Sequence, residues 1–151
     1  MSARSFAIAS DHRGVALKNE IVQFLKAKGF QVQDLGTDSE ASVDYPDFAL
    51  KAADAVAKGK ANSGIVICHS GIGVSISANK VRGIRAALCQ TVEQTELARK
   101  HTDANILALP AGFVTPELAK KIVETWVTAK FEGGRHERRI NKIKTIEEHK
   151  K

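Results

Sequence analysis

The stretch Gly64-Ile-Val-Ile-Cys-His-Ser-Gly-Ile-Gly-Val-Ser-Ile-Ser-Ala-Asn-Lys80 carries the most information in this 151-residue chain. Ile65, Val66 and Ile67 form a short β-branched run of the kind that builds a strand buried on both faces of a parallel sheet. That strand delivers a thiol, Cys68, straight into a Gly-rich turn and the start of a helix. Gly71 and Gly73 let backbone N–H groups come close to a ligand. A helix start favours negative charge, whether on a ligand oxygen or on the sulfur itself. Two readings stay open from this segment alone: a nucleophile or base beside an anion hole, and a buried, inert cysteine in a strand-to-helix turn.

Outward from this segment, apolar runs alternate with helical patterns along the whole chain, which is the signature of a parallel α/β sheet. Phe6–Ser10 reads as the first strand. Leu17, Ile21, Phe24 and Leu25 share the apolar face of a helix that Gly29 ends. Phe30–Leu35 reads as the second strand, and Pro46 sits in the first turn of a helix whose core face is Phe48, Ala52 and Val56. Ile65–Cys68, Arg85–Cys89 and Ile106–Leu109 supply three more strands, with a helix over Thr91–Lys100 between the last two. Thr115-Pro-Glu opens a helix with Leu118, Ile122 and Trp126 on its buried stripe, and Glu132-Gly-Gly134 breaks it. The expectation is a three-layer α/β/α sandwich around a five-stranded, parallel, doubly wound (Rossmann-like) sheet. Ligands of such sheets bind at the carboxyl ends of strands where strand order reverses.

The length suits one domain over residues 1–151, with a C-terminal helical tail from about residue 135 carrying Ile140, Ile143 and Ile146 on a narrow apolar stripe. The formal charge of +6 is concentrated late, in Arg135, Arg138, Arg139, Lys142, Lys144, Lys150 and Lys151. With one Tyr and one Trp there is little for bases to stack on, so a nucleic-acid partner is not expected. No apolar run approaches the ~20 residues that span a bilayer, and Met1–Phe6 runs into a strand rather than a signal peptide. The expected location is the cytoplasm, away from membranes, with Cys68 and Cys89 as free thiols.

Three further clusters are candidates for chemistry. Asp11-His12 stands where a strand hands over to a helix, a place that also suits a capping aspartate. His101-Thr-Asp-Ala-Asn105 lies between a helix and a strand. Arg135 and Arg139, spaced i, i+4, share a helical face able to grip a phosphate, or simply to stay solvated. The histidines at 12, 69, 101, 136 and 149 lack the close spacing of a metal site, and neither a dinucleotide fingerprint nor a Walker sequence is present. No metal and no cofactor is expected.

Together these clusters resemble ribose-5-phosphate isomerase type B, of the sugar-phosphate isomerase group that includes galactose-6-phosphate isomerase subunits. The resemblance rests on Ser10-Asp-His12, Asp44-Tyr-Pro46, Ile67-Cys68, Ser70–Ser75, Ala78-Asn-Lys80, Gly83-Ile-Arg85, His101–Asn105 and Glu132-Gly-Gly-Arg-His136 with Arg139. It implies metal-free interconversion of an aldose and a ketose phosphate through an enediolate, ribose 5-phosphate and ribulose 5-phosphate being the leading pair. Other C4 to C6 sugar phosphates, and a non-catalytic phosphosugar-binding subunit, are the alternatives. By resemblance Cys68 is the base, His101 assists ring opening, Asp11 handles a hydroxyl proton, and Ser70 joins the catalytic turn. His12, Arg135 and Arg139 would hold phosphate, while Tyr45, Gly71, Gly73, Ser75, Asn79 and Thr102 line the pocket. The resemblance further implies a homodimer with shared active sites, and leaves open its pairing into a tetramer.

The chain departs from this pattern at three places. His69 replaces the usual Gly after the cysteine, which argues against a left-handed backbone there. Thr102 replaces an Asn beside the ring-opening histidine. Leu109-Pro-Ala-Gly-Phe113 replaces a Gly-x-Arg segment that helps bind phosphate, so the expectation is either a shifted substrate or compensation by Arg13.

Overall fold

The computed structural model describes residues 4–149. The chain start Met1–Ala3 and the tail lysines Lys150 and Lys151 lie outside the described residues. The strands are β1 (Ser5–Ser10), β2 (Gln31–Asp34), β3 (Ser63–Cys68), β4 (Ala86–Leu88) and β5 (Ile106–Pro110). They pair in parallel in the order β2-β1-β3-β5-β4, so order reverses between β1 and β3. The helices are α1 (Val15–Ala27), α2 (Tyr45–Ala57), α3 (Ile72–Ala78), α4 (Val92–Thr102), α5 (Pro116–Thr128) and α6 (Arg135–Glu148). The expected five-stranded three-layer architecture is what the chain adopts.

The central strands alternate in side-chain size rather than polarity, because both faces are covered. Phe6, Ile8, Ile65, Ile67, Leu107 and Leu109 face α1 and α5, meeting Leu17, Ile21, Leu25, Ile122, Val123 and Trp126. Ala7, Ala9, Val66, Cys68 and Ala108 face α2 and α3, meeting Ala49, Ala52, Ala53, Val74 and Ala78. Each large side chain buried on the first face is worth about 1.5–3 kcal/mol, so most of the apolar stabilisation is there. The second face is thin, and its small side chains let α2 and α3 approach the sheet closely. Cys68 lies on this thin face.

Local signals explain the boundaries. Thr115 Oγ1 accepts the Leu118 N–H at 3.1 Å with Pro116 opening α5, and Thr91 Oγ1 accepts the Gln94 N–H at 3.0 Å to cap α4. α4 runs two residues further than the expected Lys100, so His101 and Thr102 fall in its last turn. The extension is closed by Asp103 in the left-handed conformation, and Arg85 donates to the carbonyls of Thr102 and Asp103 at 2.9 and 2.8 Å.

Helix direction matters for function. α4 and α5 both return from the carboxyl ends of the strands to the amino ends. Trp126 Nε1 donates to Ser63 Oγ, at the first residue of β3, at 2.8 Å, and Arg4 donates to the Val127 carbonyl at 2.7 Å. The last turn of α4 and the start of α6 therefore lie at the opposite end of the sheet from Cys68.

Lys18, fully buried on α1, donates to both carboxylate oxygens of Asp34 at 2.8 and 2.7 Å. Asp34 also accepts the Gly36 N–H, and Gly36 and Thr37 exchange backbone bonds with Ser10 at 2.7 and 2.8 Å. The ion pair thus secures the loop that covers the end of β1. Replacing Lys18 with Met keeps the volume but leaves a half-buried carboxylate without its cation. The expected loss is about 3 kcal/mol of unfolding free energy, measured by urea denaturation.

Candidate active site

At the carboxyl ends of β1 and β3, where strand order reverses, the chain assembles one cluster. Cys68 ends β3 at 5% exposure, and its Sγ accepts the Gly71 N–H at 3.2 Å. Gly71 has φ of 73°, and a Cβ there would meet Leu88 Cδ1 at 2.5 Å and the Leu109–Pro110 peptide at 3.1 Å. Only glycine fits this turn. Ser70 Oγ accepts the Ile72 N–H at 3.2 Å, and the first helical bond of α3 runs from Ser75 to Gly71. The N–H groups of Gly73 and Val74 precede that bond and so have no partner within the helix.

Asp11, 6% exposed, accepts the Arg13 N–H at 2.9 Å, while its own N–H donates to the Ile67 carbonyl at 3.2 Å. The capping role is real, and it also holds the carboxylate at the β1–β3 junction. His12 Nδ1 accepts the Val43 N–H at 3.2 Å. With Nδ1 as acceptor, the proton resides on Nε2, which is left for a ligand. The Tyr45 ring lies where a Cβ on Gly73 would stand, at the mouth of the same turn. Ser75 is half-buried one turn into α3.

The second cysteine behaves differently. Burial pushes the Cys89 thiol up, and a hydrogen bond with Thr95 opposes this only in part. A buried, protonated thiol is inert. Cys68, also buried and free, stands instead at the Gly-rich turn with a backbone N–H on its sulfur.

The remaining candidates gather at the other end of the sheet. His101 stacks on His136, ring centroids 4.1 Å apart and planes within 9°, and its Nε2 lies 3.4 Å from Glu132 Oε1. Arg135 and Arg139 are exposed in the first two turns of α6, beside these rings. Among the described residues, no acidic side chain pairs with either. Thr102 is exposed and donates its hydroxyl to the Ala98 carbonyl. Asn79 lines one groove with Thr102, away from Cys68, and its carboxamide brackets Ala86, accepting the N–H at 2.8 Å and donating to the carbonyl at 3.0 Å. Arg13 is exposed and turns to a neighbouring cleft with Leu17, Glu20, Ala111 and Pro116.

Glu132 and His136, which the sequence reading left out of the site, contact His101 directly. The signal available for them was their i, i+4 spacing across Gly133 and Gly134, both at positive φ. Donor atoms of His101, Glu132 and His136 lie within 4.8 Å of one another. Parallel stacked rings do not aim their lone pairs at one point, and two arginines oppose a cation. The chemistry of this end suits an anion.

One chain therefore brings Asp11, His12, Tyr45, Cys68, Ser70, Gly71, Gly73 and Ser75 together, and separately His101, Thr102, Arg135 and Arg139. The two groups are separated by the length of β3, ~17 Å at ~3.3 Å per residue.

A model of the family described as Ribose/Galactose Isomerase matches residues 6–143. The chain belongs to that family. It is similar to the ribose-5-phosphate isomerase B of Escherichia coli, 46% identical over 96% of this chain and 97% of that protein. The family fold is confirmed by a solved ribose-5-phosphate isomerase B from Clostridium thermocellum, with TM-score 0.94 and 53% identity, covering 95% of this chain and 97% of that one. A second structure, ribose-5-phosphate isomerase B from Mycoplasma genitalium with bound ribulose-5-phosphate, has TM-score 0.95 and 46% identity, covering 99% of this chain and all of that one, 100%.

Burial, the neighbouring His101 and Arg135, and more weakly Arg139, push His136 below the usual 6.5, with Glu132 opposing. A histidine with a lowered folded pKa binds fewer protons folded than unfolded, so its contribution to stability is whole above pH 6.5 and falls on acidification through it. The NMR titration of His136 is expected to have its midpoint below 6.5. A midpoint at or above that value would show that Glu132 dominates the site.

Proposed function

We propose that this protein is a metal-independent aldose–ketose isomerase of a sugar phosphate, with ribose 5-phosphate and ribulose 5-phosphate as the leading pair. Membership of the Ribose/Galactose Isomerase family supports the reaction class. The observation that carries the mechanism is Cys68, held at the β1–β3 switch point with an N–H donor on its sulfur and with Asp11 at the end of the neighbouring strand.

In this reading the Cys68 thiolate removes the C2 proton of the open-chain aldose, giving an enediolate, and the resulting thiol returns a proton to C1. The negative charge that develops on the carbonyl oxygen is met by the N–H groups of Gly73 and Val74, fixed in advance by the turn. Asp11 handles the proton of the neighbouring hydroxyl, and the Nε2–H of His12 reaches the phosphate. Tyr45 walls the pocket. Ring opening falls to His101, aligned by its stack on His136 and by Glu132. Arg135 and Arg139 bind phosphate from the N-terminal turns of α6, where the helix dipole adds to their charge.

Since ~17 Å of strand separates the two groups, no single site on one chain contains both Cys68 and His101. The reading therefore requires a second copy that brings its His101, Arg135 and Arg139 to this copy's Cys68. Exposed apolar side chains support such a partner: Ile72 and Ile76 on α3, and Ile143 and Ile146 on α6 are 54%, 57%, 48% and 62% exposed. Near them the short edge strand β4 and a groove of about 670 Å³ lined by Ile84, Ile143 and Ile146 remain uncovered. The functional unit is a homodimer with two shared sites, free to pair again. The reading puts it in the cytoplasm, which the two free cysteines support; no described helix is long and apolar enough to cross a membrane.

Cys68→Ala is expected to abolish solvent exchange of the C2 proton, followed by NMR in heavy water, while sugar-phosphate binding persists. Full turnover by that variant would remove Cys68 from the mechanism. Mixing inactive Cys68→Ala and His101→Ala chains under conditions that exchange subunits should restore activity that neither has alone. No recovery in confirmed mixed dimers would mean that each chain works by itself.

A further inference from the structure

His69 follows Cys68 directly, and its ring occupies a place that belongs to another residue. A Cβ built on Gly112 would collide with three atoms of the His69 imidazole. The ring of residue 69 occupies the space a side chain at residue 112 would take, so a Cβ there would displace it. The same ring lies 5.7 Å from that of Phe113, tilted by 58°. Its backbone is held as firmly: the Gly112 N–H donates to the His69 carbonyl and the Ala111 N–H to the Cys68 carbonyl, both at 2.9 Å. His69 has no positive φ, so this placement carries no backbone strain.

Despite this fixed seat the ring stays in contact with solvent, and Phe113 beside it is 62% exposed. Two adjacent aromatic rings left uncovered at the end of a sheet do little for the core. They lie on the rim that holds Cys68, on its β5 side, while His12 stands on its β1 side. Neighbouring parallel strands lie ~4.8 Å apart, so the β1 and β5 ends flank Cys68 at a distance of ~10 Å, the span of a small sugar phosphate. The β5–α5 turn, Pro110-Ala-Gly-Phe113, offers no polar side chain of its own, and Arg13 turns to the neighbouring cleft. His69 is the polar side chain that serves this side of the rim.

We propose that His69 is a specificity-determining residue, which donates a hydrogen bond from its imidazole to a hydroxyl or carbonyl oxygen of the sugar on the β5 side of Cys68. The inference rests on the isomerase reading above and adds the group that selects the sugar. Phe113 fixes the ring and closes the pocket beyond it. A pocket with a rigid donor discriminates by whether the substrate carries an oxygen at that place, which is a stronger filter than size alone.

The test is the steady-state kinetics of His69→Ala, His69→Phe, His69→Gln and Gly112→Ala on aldose phosphates of four, five and six carbons, with inhibition by inorganic phosphate measured in parallel. His69→Phe keeps a ring against Phe113 but has no N–H, so it remains informative if His69→Ala folds poorly. The expected result is a rise of about tenfold in KM for the preferred sugar with kcat within a few-fold, since a hydrogen bond to bound substrate is being lost. The ratio of kcat/KM among the sugars should shift with it. His69→Gln should recover part of the loss, and Gly112→Ala should reproduce it with His69 still present, because the ring is displaced. Weaker inhibition by inorganic phosphate in His69→Phe would mean that the contacted oxygen belongs to the phosphate, which every sugar in the panel carries, and would overturn the specificity role; unchanged inhibition alongside the KM rise would identify a sugar oxygen. Unaltered KM values in both His69→Ala and His69→Phe, or a common factor lost on every sugar through kcat, would overturn the proposal. Failure of the underlying reading looks different: the unmodified protein would isomerise none of the sugars, or Cys68→Ala would remain active.

Discussion

The close seating of the 68–71 turn against the end of β5 is the constraint on which the rest depends. Gly71 brings its backbone against the Leu109–Pro110 peptide because it has no Cβ. This approach carries its N–H to the sulfur of Cys68 and starts α3 at the correct angle for the next N–H groups to face the same space. The thin alanine face of the sheet, on which α2 and α3 rest, makes room for it. A bulkier side chain at Ala52 or Ala53 would lift α2, and with it Tyr45, away from the turn.

Sheet polarity then divides the functional residues. Parallel strands require each helix to return to the amino end before the next strand begins. Residues near the ends of strands and residues near the ends of helices therefore lie at opposite poles. Asp11 and Cys68 belong to the first class and His101 to the second, while Arg135 follows the end of α5 and so opens α6 at the same pole as His101. At the end built by α6, Glu132 lies against His101 and, among the described residues, no acidic side chain pairs with Arg135 or Arg139, while the Cys68 end carries a thiol and the Asp11 carboxylate. Each pole lacks what the other offers, and that complementarity is the physical argument for a shared site.

Much of this was legible in the residues. The size alternation of Phe6–Ser10 and Ile65–Cys68, the Thr115–Pro116 helix start and the stop at Gly29 act over a few positions and mean the same thing in most contexts. The turn after Cys68 was legible for the same reason. What escaped was the contact set of His101. The stack with His136 and the approach of Glu132 come from packing α6 against α4, and no local pattern encodes that pairing. Asn79, expected at the pocket from its motif, has its carboxamide bracketing the start of β4, on a groove that Thr102 also lines; that bond, too, joins segments no local pattern pairs.

By itself the sequence determined the fold class and the family, because periodicity, caps and glycine turns are local and the motif residues recur in order. Only the tertiary structure decided which of those residues meet. Strand order placed Asp11 beside Cys68, helix direction carried His101 away from both, and the packing of two loops seated His69 in the side-chain space of Gly112. These are relations between segments distant along the chain, set by steric exclusion and sheet topology rather than by any residue's own preference.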